Sequence, residues 1–133
     1  MANATTGLLL VDHGSPRAEA NARLDDIAAL VTDLAGADVV VATAHMELCE
    51  PSIATAFGTL VAQGIETVRV MPYFLGPGRH VTQDIPRLVR EAAADHPDVD
   101  VSISEPLGIH PDLARLVLHR AGLPVAGVAS PNG

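Results

Sequence analysis

The sequence is poor in the residues on which several common kinds of protein chemistry depend. All eight of its basic residues are arginine, and the absence of lysine excludes any mechanism that needs a catalytic lysine. Its one cysteine, Cys49, cannot form an internal disulfide, so nothing suggests an oxidising compartment. Aromatic side chains make up only 2% of the chain. No apolar run approaches the roughly 20 residues that a membrane-spanning helix requires.

The composition and charge are those of one folded domain. The chain has 133 residues, of which 48% are hydrophobic and 18% charged, so it is expected to fold around a single core. A net charge of −8 argues against nucleic acid or an anionic membrane as a partner. Residues 1–7 are too short and too polar for a signal peptide, so a cytoplasmic location is expected.

Short apolar runs alternate with segments of helical periodicity along the chain. Strands are predicted at 7–12, 38–43, 66–71 and 99–103. Helices are predicted at 17–35, 50–64, 82–93 and 111–122, the third with Thr82 as its N-cap and Pro86 in its first turn. The apolar stripes predicted to be buried include Leu24, Ile27, Val31 and Leu34 in the first helix and Leu113, Leu116 and Val117 in the last. The chain is therefore divided into a single domain over 1–122 and a mobile tail over 123–133.

Four successive strand–helix units predict an α/β fold. The expected architecture is an open, mostly parallel four-stranded sheet with helices on both faces. The expected strand order is 2-1-3-4, which makes the first and third strands neighbours. Polar residues alternate with Val99, Val101 and Ile103, which favours an edge position for the fourth strand. Ligands of such sheets bind beyond the carboxyl ends of the strands, so the residues that follow each strand are the candidates for function.

Histidines and carboxylates follow the predicted strands at this edge of the sheet. The residues concerned are Asp12, His13, Gly14 and Ser15 after the first strand, His45, Glu47 and Glu50 after the second, Arg79 and His80 after the third, and Glu105 and His110 after the fourth. His96 and His119 fall at helix ends away from this set. Imidazole and carboxylate groups together suit a divalent transition metal, and they also suit general acid–base catalysis near neutral pH.

Several of these residues have a simpler structural interpretation. His45 is either a third ligand or a solvent-exposed side chain, and the exposed position is favoured. The pairs Glu50-Pro51 and His110-Pro111 are consistent with helix entries alone. Asp12 could cap the turn that follows it. Cys49 is expected to be a small buried residue, and Tyr73 and Phe74 belong either to the core or to the edge where the candidates lie.

Other functions of this fold class fit the sequence less well. A phosphotransfer or phosphatase mechanism with His13 as the nucleophile is disfavoured, because Asp12 stands where an arginine is usual. A response regulator would need the lysine that the chain lacks. Dinucleotide binding would need a G-x-G-x-x-G segment after the first strand, and this segment is absent.

Four stretches in a fixed order carry a family likeness over residues 8–120. They are LLLVDHGSPRAEAN with Asn21 in the first helix, ELCEPSIATAF, MPYFLGPGRHVTQDIPRLV and PLGIHPDLARLVLHR. With them the chain resembles the small, single-module class II tetrapyrrole chelatases, the sirohydrochlorin cobalt- or ferrochelatase group. The likeness implies a half-module of the chelatase or flavodoxin-like type, similar to one half of the longer two-module chelatases and paired as a homodimer.

The resemblance also implies an activity and a set of site residues. The implied activity is insertion of cobalt, iron or nickel into sirohydrochlorin or a related carboxylated tetrapyrrole, with the divalent metal as a substrate and no permanently bound cofactor. The implied metal-handling, catalytic residues are His13 and His80, with Glu47 as the carboxylate of the site. Substrate contacts are expected from Ser15, Arg17, Tyr73, Gly78 and Arg79, of which the arginines would bind substrate carboxylates. A non-catalytic metal-binding or tetrapyrrole-carrier protein is the alternative.

Two features depart from the family pattern. His45 and Met46 stand where an apolar or aromatic pair before the glutamate is more usual. Few aromatic side chains are present to stack on a macrocycle. Both features concern the choice of substrate more than the family.

Overall fold

A computed structural model describes residues 5–127 of the chain. The strands are β1 (Thr6–Asp12), β2 (Val39–His45), β3 (Thr67–Pro72) and β4 (Asp100–Ile103). The helices are α1 (Ala18–Ala35), α2 (Ile53–Ala62), α3 (Ile85–Ala93) and α4 (Pro111–Arg120), and a π-helical turn, His80–Asp84, leads directly into α3. Strands and helices alternate along the chain as the sequence predicted.

The four strands form one parallel sheet in the order β2-β1-β3-β4. In the register of the sheet, Leu10 of β1 lies between Thr43 of β2 and Met71 of β3. The predicted strand order and the edge position of β4 are confirmed. Because all strands run in the same direction, the segments that follow β1, β2 and β3 emerge side by side at one edge of the sheet.

One face of the sheet carries the closely packed core. Alternate residues of β1 and β3 point to this face, where α2 and α3 cover them. The largest fully buried side chains of this core are Leu9, Val11, Phe57, Leu60, Val68, Val70 and Ile85. The apolar residues that recur at helical spacing in α2 and α3 are buried in this core: Ile53, Phe57 and Leu60 in α2, and Ile85, Val89 and Ala92 in α3.

The other face of the sheet is covered less completely. Leu24 of α1 is buried, whereas Leu34 is 89% exposed and no residue of α4 is buried. A groove of about 460 Å³ lies along α4 and is lined by Met71, Leu113 and Leu116 among others. The prediction that Leu34, Leu116 and Val117 are buried is wrong. Helical periodicity identifies the apolar side of a helix, but the neighbouring elements decide whether that side is covered.

The start of α2 differs from the prediction at Glu50-Pro51. The helix begins at Ile53, and its N-cap is Ser52, whose side chain accepts a hydrogen bond from the Thr55 N–H. The backbone of the segment before the helix instead extends the sheet, since the carbonyl of Pro51 accepts a hydrogen bond from the His45 N–H at 2.8 Å. This pairing holds the end of β2 in place.

The start of the third helix also differs from the prediction. Thr82 is not an N-cap: it lies inside the π-helical turn, and its hydroxyl donates to the Gly78 carbonyl at 2.9 Å. The turn closes with the Ile85 N–H bonded to the His80 carbonyl, one residue further back than in an α-helix. Pro86 follows and has no N–H to donate, so the wider turn relieves the contact that its ring would make with the preceding turn.

In the part of the chain that the structure describes, no helix is both long enough and apolar enough to cross a membrane. The tail predicted to be mobile lies partly in residues 128–133, which are outside the described residues. The division into a domain over 1–122 and a tail over 123–133 stays a prediction.

Candidate functional site

Backbone pairing continues past the ends of β1 and β2 and brings His13 next to Glu47. The Met46 N–H donates to the Asp12 carbonyl at 2.8 Å, and the Glu47 N–H donates to the His13 carbonyl at 3.1 Å. Both side chains therefore lie at the carboxyl-end edge of the sheet. The Nε2 atom of His13 is 3.0 Å from Oε1 of Glu47.

The hydrogen bond of the other ring nitrogen of His13, Nδ1, determines which nitrogen carries the proton when Nε2 contacts Glu47. Nδ1 lies 3.0 Å from the Gly14 carbonyl oxygen, which can only accept, so Nδ1 carries a proton. In a neutral ring Nε2 then has a lone pair directed at a carboxylate oxygen, and two acceptors at this distance need a cation or a proton between them. A metal ion can consequently replace a proton between Nε2 of His13 and Oε1 of Glu47.

His80 reaches the same place from the other side of β1. Its imidazole ring lies 4.9 Å from that of His13, measured between ring centroids, and the two planes are at 64°. Nδ1 of His80 is 2.9 Å from Oδ2 of Asp84, four residues along the π-helical turn. The Phe74 ring lies next to the His80 ring, with 6.5 Å between their centroids.

The three side chains form an open arrangement. His13, His80 and Glu47 are each at least 39% exposed. Across residues 5–127, no three His, Cys, Asp or Glu side chains are grouped closely enough to form a ready-made metal site. An ion at this edge would contact few protein groups and keep positions free for other ligands, as suits a metal that is passed on.

Gly14 makes the approach of the Glu47 segment possible. Its φ of +94° is unfavourable for other residues, and a Cβ atom at this position would lie 1.9 Å from the Glu47 carbonyl oxygen. The loop after β1 is fixed further by Asn21, whose side chain accepts from the Ser15 N–H and donates to the Ser15 carbonyl. Both contacts hold the loop that carries His13.

His45 differs from the expectation of an exposed side chain. It is 2% exposed, and its Nδ1 lies 2.6 Å from Oδ1 of Asp12, its direct partner in the sheet register. Asp12 consequently holds His45 rather than capping the next turn. Beyond β2 the chain turns back, so that the Pro51 carbonyl accepts a hydrogen bond from the His45 N–H. His45 lies beneath the site as part of its support.

The five predicted substrate contacts all lie on the loops around this edge. Arg17 and Arg79 are exposed, Tyr73 is half-buried, and the carbonyl of Gly78 accepts from the Thr82 N–H and hydroxyl. A Cβ atom at Gly78 would meet nothing within 4 Å, so the surface above the loop is open. The hydroxyl oxygen of Ser15 accepts from the Arg17 N–H, which makes it part of the loop's own structure.

The other candidate residues have structural contacts. His110 caps α4 by accepting from the Asp112 N–H, and the Glu50 carboxylate accepts from the Ser52 N–H and the Thr55 hydroxyl. These contacts agree with helix entries. His96 packs against Phe57 at 5.7 Å between centroids, away from the His13 ring. Cys49 is only partly buried, contrary to prediction.

Two residues of the site were missed at the level of the sequence. The sequence pattern assigns no role to Asp84, although its spacing of four residues from His80 puts the two on one side of a helical turn. Gly14 is a candidate in the sequence only because it follows the first strand. A glycine directly after a candidate histidine is a signal for a close backbone approach, and here that approach is made by the Glu47 carbonyl.

Comparison with known proteins gives a consistent result. A family model described as CbiX matches residues 7–122. The chloroplastic sirohydrochlorin ferrochelatase of Arabidopsis thaliana is 44% identical over 104 residues, covering 78% of this chain and 46% of that protein. The sirohydrochlorin cobaltochelatase of Methanopyrus kandleri is 31% identical, covering 85% of this chain and 92% of that protein.

Solved structures include the sirohydrochlorin chelatase SirB of Bacillus subtilis subspecies spizizenii in complex with cobalt. The match has a TM-score of 0.82 and 30% identity, and it covers 89% of this chain and 50% of SirB. SirB from Bacillus subtilis with Fe³⁺ gives a TM-score of 0.81 at 29% identity, covering 90% of this chain and 48% of that chain. The chain thus spans about half the length of SirB and of the plant relative, and nearly the whole length of the archaeal one. With a match over most of its residues, the chain belongs to the CbiX family.

Proposed function

We propose that this chain inserts a divalent metal ion into sirohydrochlorin or a related carboxylated tetrapyrrole. The observation that carries the proposal is the pair of imidazole rings 4.9 Å apart beside the Glu47 carboxylate at an open edge of the sheet. The names of the relatives support it, since they include a sirohydrochlorin ferrochelatase and a sirohydrochlorin cobaltochelatase.

The chemistry requires the exchange of protons for a metal. A free-base tetrapyrrole carries N–H protons in its ring, and a divalent ion enters as two of these protons leave. His13 and His80 are proposed to hold the ion or to accept a departing proton, which the 4.9 Å between their ring centroids supports. Glu47 is proposed to balance the charge of the ion or to pass a proton to the solvent, which its contact with His13 supports. The metal is a substrate here, and no permanently bound cofactor is proposed.

Arg79 is proposed to hold a carboxylate of the substrate. It is exposed and directly precedes His80. Arg79→Ala should raise the KM for sirohydrochlorin about 10- to 100-fold, because a hydrogen bond between charged groups contributes about 1.5–3 kcal/mol. Arg90→Ala, on the exposed side of α3, is the matched control. Steady-state kinetics with both variants test the role, and equal KM values would contradict it.

Absorption spectroscopy tests the activity itself. Purified protein is mixed with sirohydrochlorin and Co²⁺, Fe²⁺ or Ni²⁺, and the formation of the metal complex is followed against the spontaneous rate. Multiple turnovers above that rate are expected. Binding of one tetrapyrrole for each site without turnover would instead establish the carrier function, which the same open histidine site could serve.

The proposed metal substrate is cobalt, iron or nickel. Cobalt and iron are supported by the named relatives and by the SirB complexes. Nickel rests on ligand chemistry alone, since imidazole and carboxylate groups accept all three ions. Relative rates with the three ions in the assay above would rank them.

The cytoplasmic location expected from the sequence stays a prediction.

A homodimer is proposed as the working form. The site is open on one side, and the exposed apolar side chains Leu75 and Ile109 lie near it on adjacent loops, joined by the Gly108 N–H to Leu75 carbonyl hydrogen bond. The match to SirB covers 89% of this chain and 50% of SirB, so a pair of such chains would be comparable in length to SirB. Light scattering should give twice the chain mass of 13.8 kDa, and the monomer mass at assay concentrations would contradict the proposal.

A further inference from the structure

The Asp84 carboxylate stands where it would ordinarily cap a helix, but it does not do so. Asp84 is the residue directly before α3, and its side chain makes no capping hydrogen bond. The π-helical turn continues into α3, so the N–H groups of the first turn already have partners and need no cap. The carboxylate is therefore available for another contact, and its Oδ2 atom lies 2.9 Å from Nδ1 of His80.

From this contact we infer that Asp84 is a positioning residue for His80, an inference that rests on the function proposed above. As a carboxylate, Asp84 accepts the Nδ1–H of His80, which fixes the ring orientation and the tautomer. Nε2 is then the nitrogen with the free lone pair. Because the two nitrogens lie on different sides of the ring, the lone pair points away from Asp84.

The alternative role for Asp84, a purely structural ion pair, is weaker in this geometry. Its distance to the nearest Arg87 nitrogen is 3.8 Å, and the Arg87 side chain is half-exposed. An exposed ion pair at this distance adds little to stability. The shorter contact, to His80, is the dominant one for the carboxylate.

The two histidines of the site are thereby supported unequally. His13 donates its Nδ1–H to a neutral carbonyl, that of Gly14, whereas His80 donates to a charged carboxylate. A carboxylate partner increases the basicity of the other ring nitrogen and so its strength as a metal ligand. Because of its contact with Asp84, His80 is accordingly expected to be the stronger metal ligand of the two histidines.

The first test uses the protein without metal. In ¹⁵N NMR spectra of imidazole-labelled protein, His80 should be the Nδ1–H tautomer in the wild type and lose this preference in Asp84→Ala. Asp84→Asn should retain it, because its amide oxygen can also accept a hydrogen bond. An unchanged tautomer in Asp84→Ala would overturn the inference.

The second test measures binding of Co²⁺ alone, by titration and by the ligand-field absorption of the bound ion. Asp84→Ala should weaken Co²⁺ binding about 10- to 100-fold, the usual effect of losing a supporting carboxylate. Asp84→Asn should recover part of the affinity. Arg87→Ala removes the other partner of Asp84, and Asp112→Ala removes a carboxylate at the start of a different helix; both should bind Co²⁺ as the wild type does.

The outcomes separate this inference from the proposed function. Equal losses in Asp84→Ala and Arg87→Ala, or Co²⁺ affinities within about twofold of the wild type in both Asp84 variants, would overturn the positioning role. The isosteric Asp84→Asn keeps the test valid if Asp84→Ala fails to fold. Wild-type protein that binds Co²⁺ through His80 but does not insert it would contradict the proposed function and leave the role of Asp84 intact.

Discussion

Two histidine–carboxylate pairs lie next to each other at the ends of β1 and β2, and they differ mainly in burial. In the pair His45–Asp12 the atoms are 2.6 Å apart and the side chains are 3% and 22% exposed. In the pair His13–Glu47 they are 3.0 Å apart and the side chains are 39% and 54% exposed. The same functional groups thus support the fold in one pair and face the solvent in the other.

The difference arises one residue further along the chain after β1 and two residues further along after β2. His45 is paired with Asp12 inside the sheet, and its N–H donates to the Pro51 carbonyl. His13 and Glu47 come after the last residues of β1 and β2, where their side chains stay exposed. A buried pair is costly to break, whereas an exposed pair adds little stability and keeps its groups available for a ligand.

The largest expected effect is the loss of metal insertion in His13→Ala and in His80→Ala. Each removes one imidazole from the site, and stability should change by less than about 1 kcal/mol because both side chains are well exposed. Insertion of Co²⁺ into sirohydrochlorin, followed by absorption, and thermal unfolding, followed by circular dichroism, are the two measurements.

The double variant tests whether the two rings act as one unit. It should be hardly worse than either single variant, since the effects of residues that act together are not additive. Substantial insertion by either single variant would contradict a shared site. His119→Ala, which changes an exposed histidine at the end of α4, is the control for histidine content.

The next effect is on stability and belongs to the buried pair. His45→Ala should lower the free energy of unfolding by about 3 kcal/mol, at the low end for breaking a buried pair because Asp12 remains partly exposed. Chemical denaturation of His45→Ala and His13→Ala side by side gives the comparison. Similar losses in the two variants would mean that burial does not distinguish the pairs.

Gly14→Ala should disturb the close approach of the Glu47 backbone to the loop that carries His13. The left-handed backbone alone costs an alanine about 1–2 kcal/mol, and the new methyl group would displace the Glu47 carbonyl, so Co²⁺ binding should fall as well. Gly36→Ala is the matched control, because Gly36 has a similar φ of +82° but nothing within 4 Å of its added Cβ. It should lose stability and retain Co²⁺ binding, and a loss of binding in both would contradict this role of Gly14.

The topology and the grouping of the candidates followed from the sequence. Four strand–helix units allow few arrangements, and a parallel sheet brings the ends of its strands to one edge whatever the details of the loops. His13, Glu47 and His80 could therefore be brought together in prediction although they are far apart in the chain. Their distances and orientations depend on side-chain packing that no local pattern encodes.

What the sequence did not reveal depends on tertiary contacts. The burial of His45 accompanies its side-chain contact with Asp12 on the neighbouring strand, and the exposure of Leu34 reflects how little covers α1. The π-helical turn is not predicted, because proline is expected in the first turn of a helix and Pro86 therefore places the predicted start of the third helix at Thr82. The contact between Asp84 and His80 is not predicted either, since the predicted helix begins at Thr82 and leaves His80 outside it.

The smallest expected effect comes from a pair of isosteric substitutions, Asp12→Asn and Glu47→Gln. Asp12→Asn keeps an oxygen that can accept from His45 but loses the charge, so stability should fall by about 1 kcal/mol, the difference between charged and neutral hydrogen bonds. Glu47→Gln should change stability by less than about 0.5 kcal/mol, because its pair is exposed. Only Glu47→Gln should weaken Co²⁺ binding, since a neutral amide oxygen is a poorer ligand than a carboxylate. Denaturation midpoints and Co²⁺ titrations of the two variants complete the comparison. If Asp12→Asn were the variant that lost Co²⁺ binding, the buried pair would have to be counted as part of the metal site.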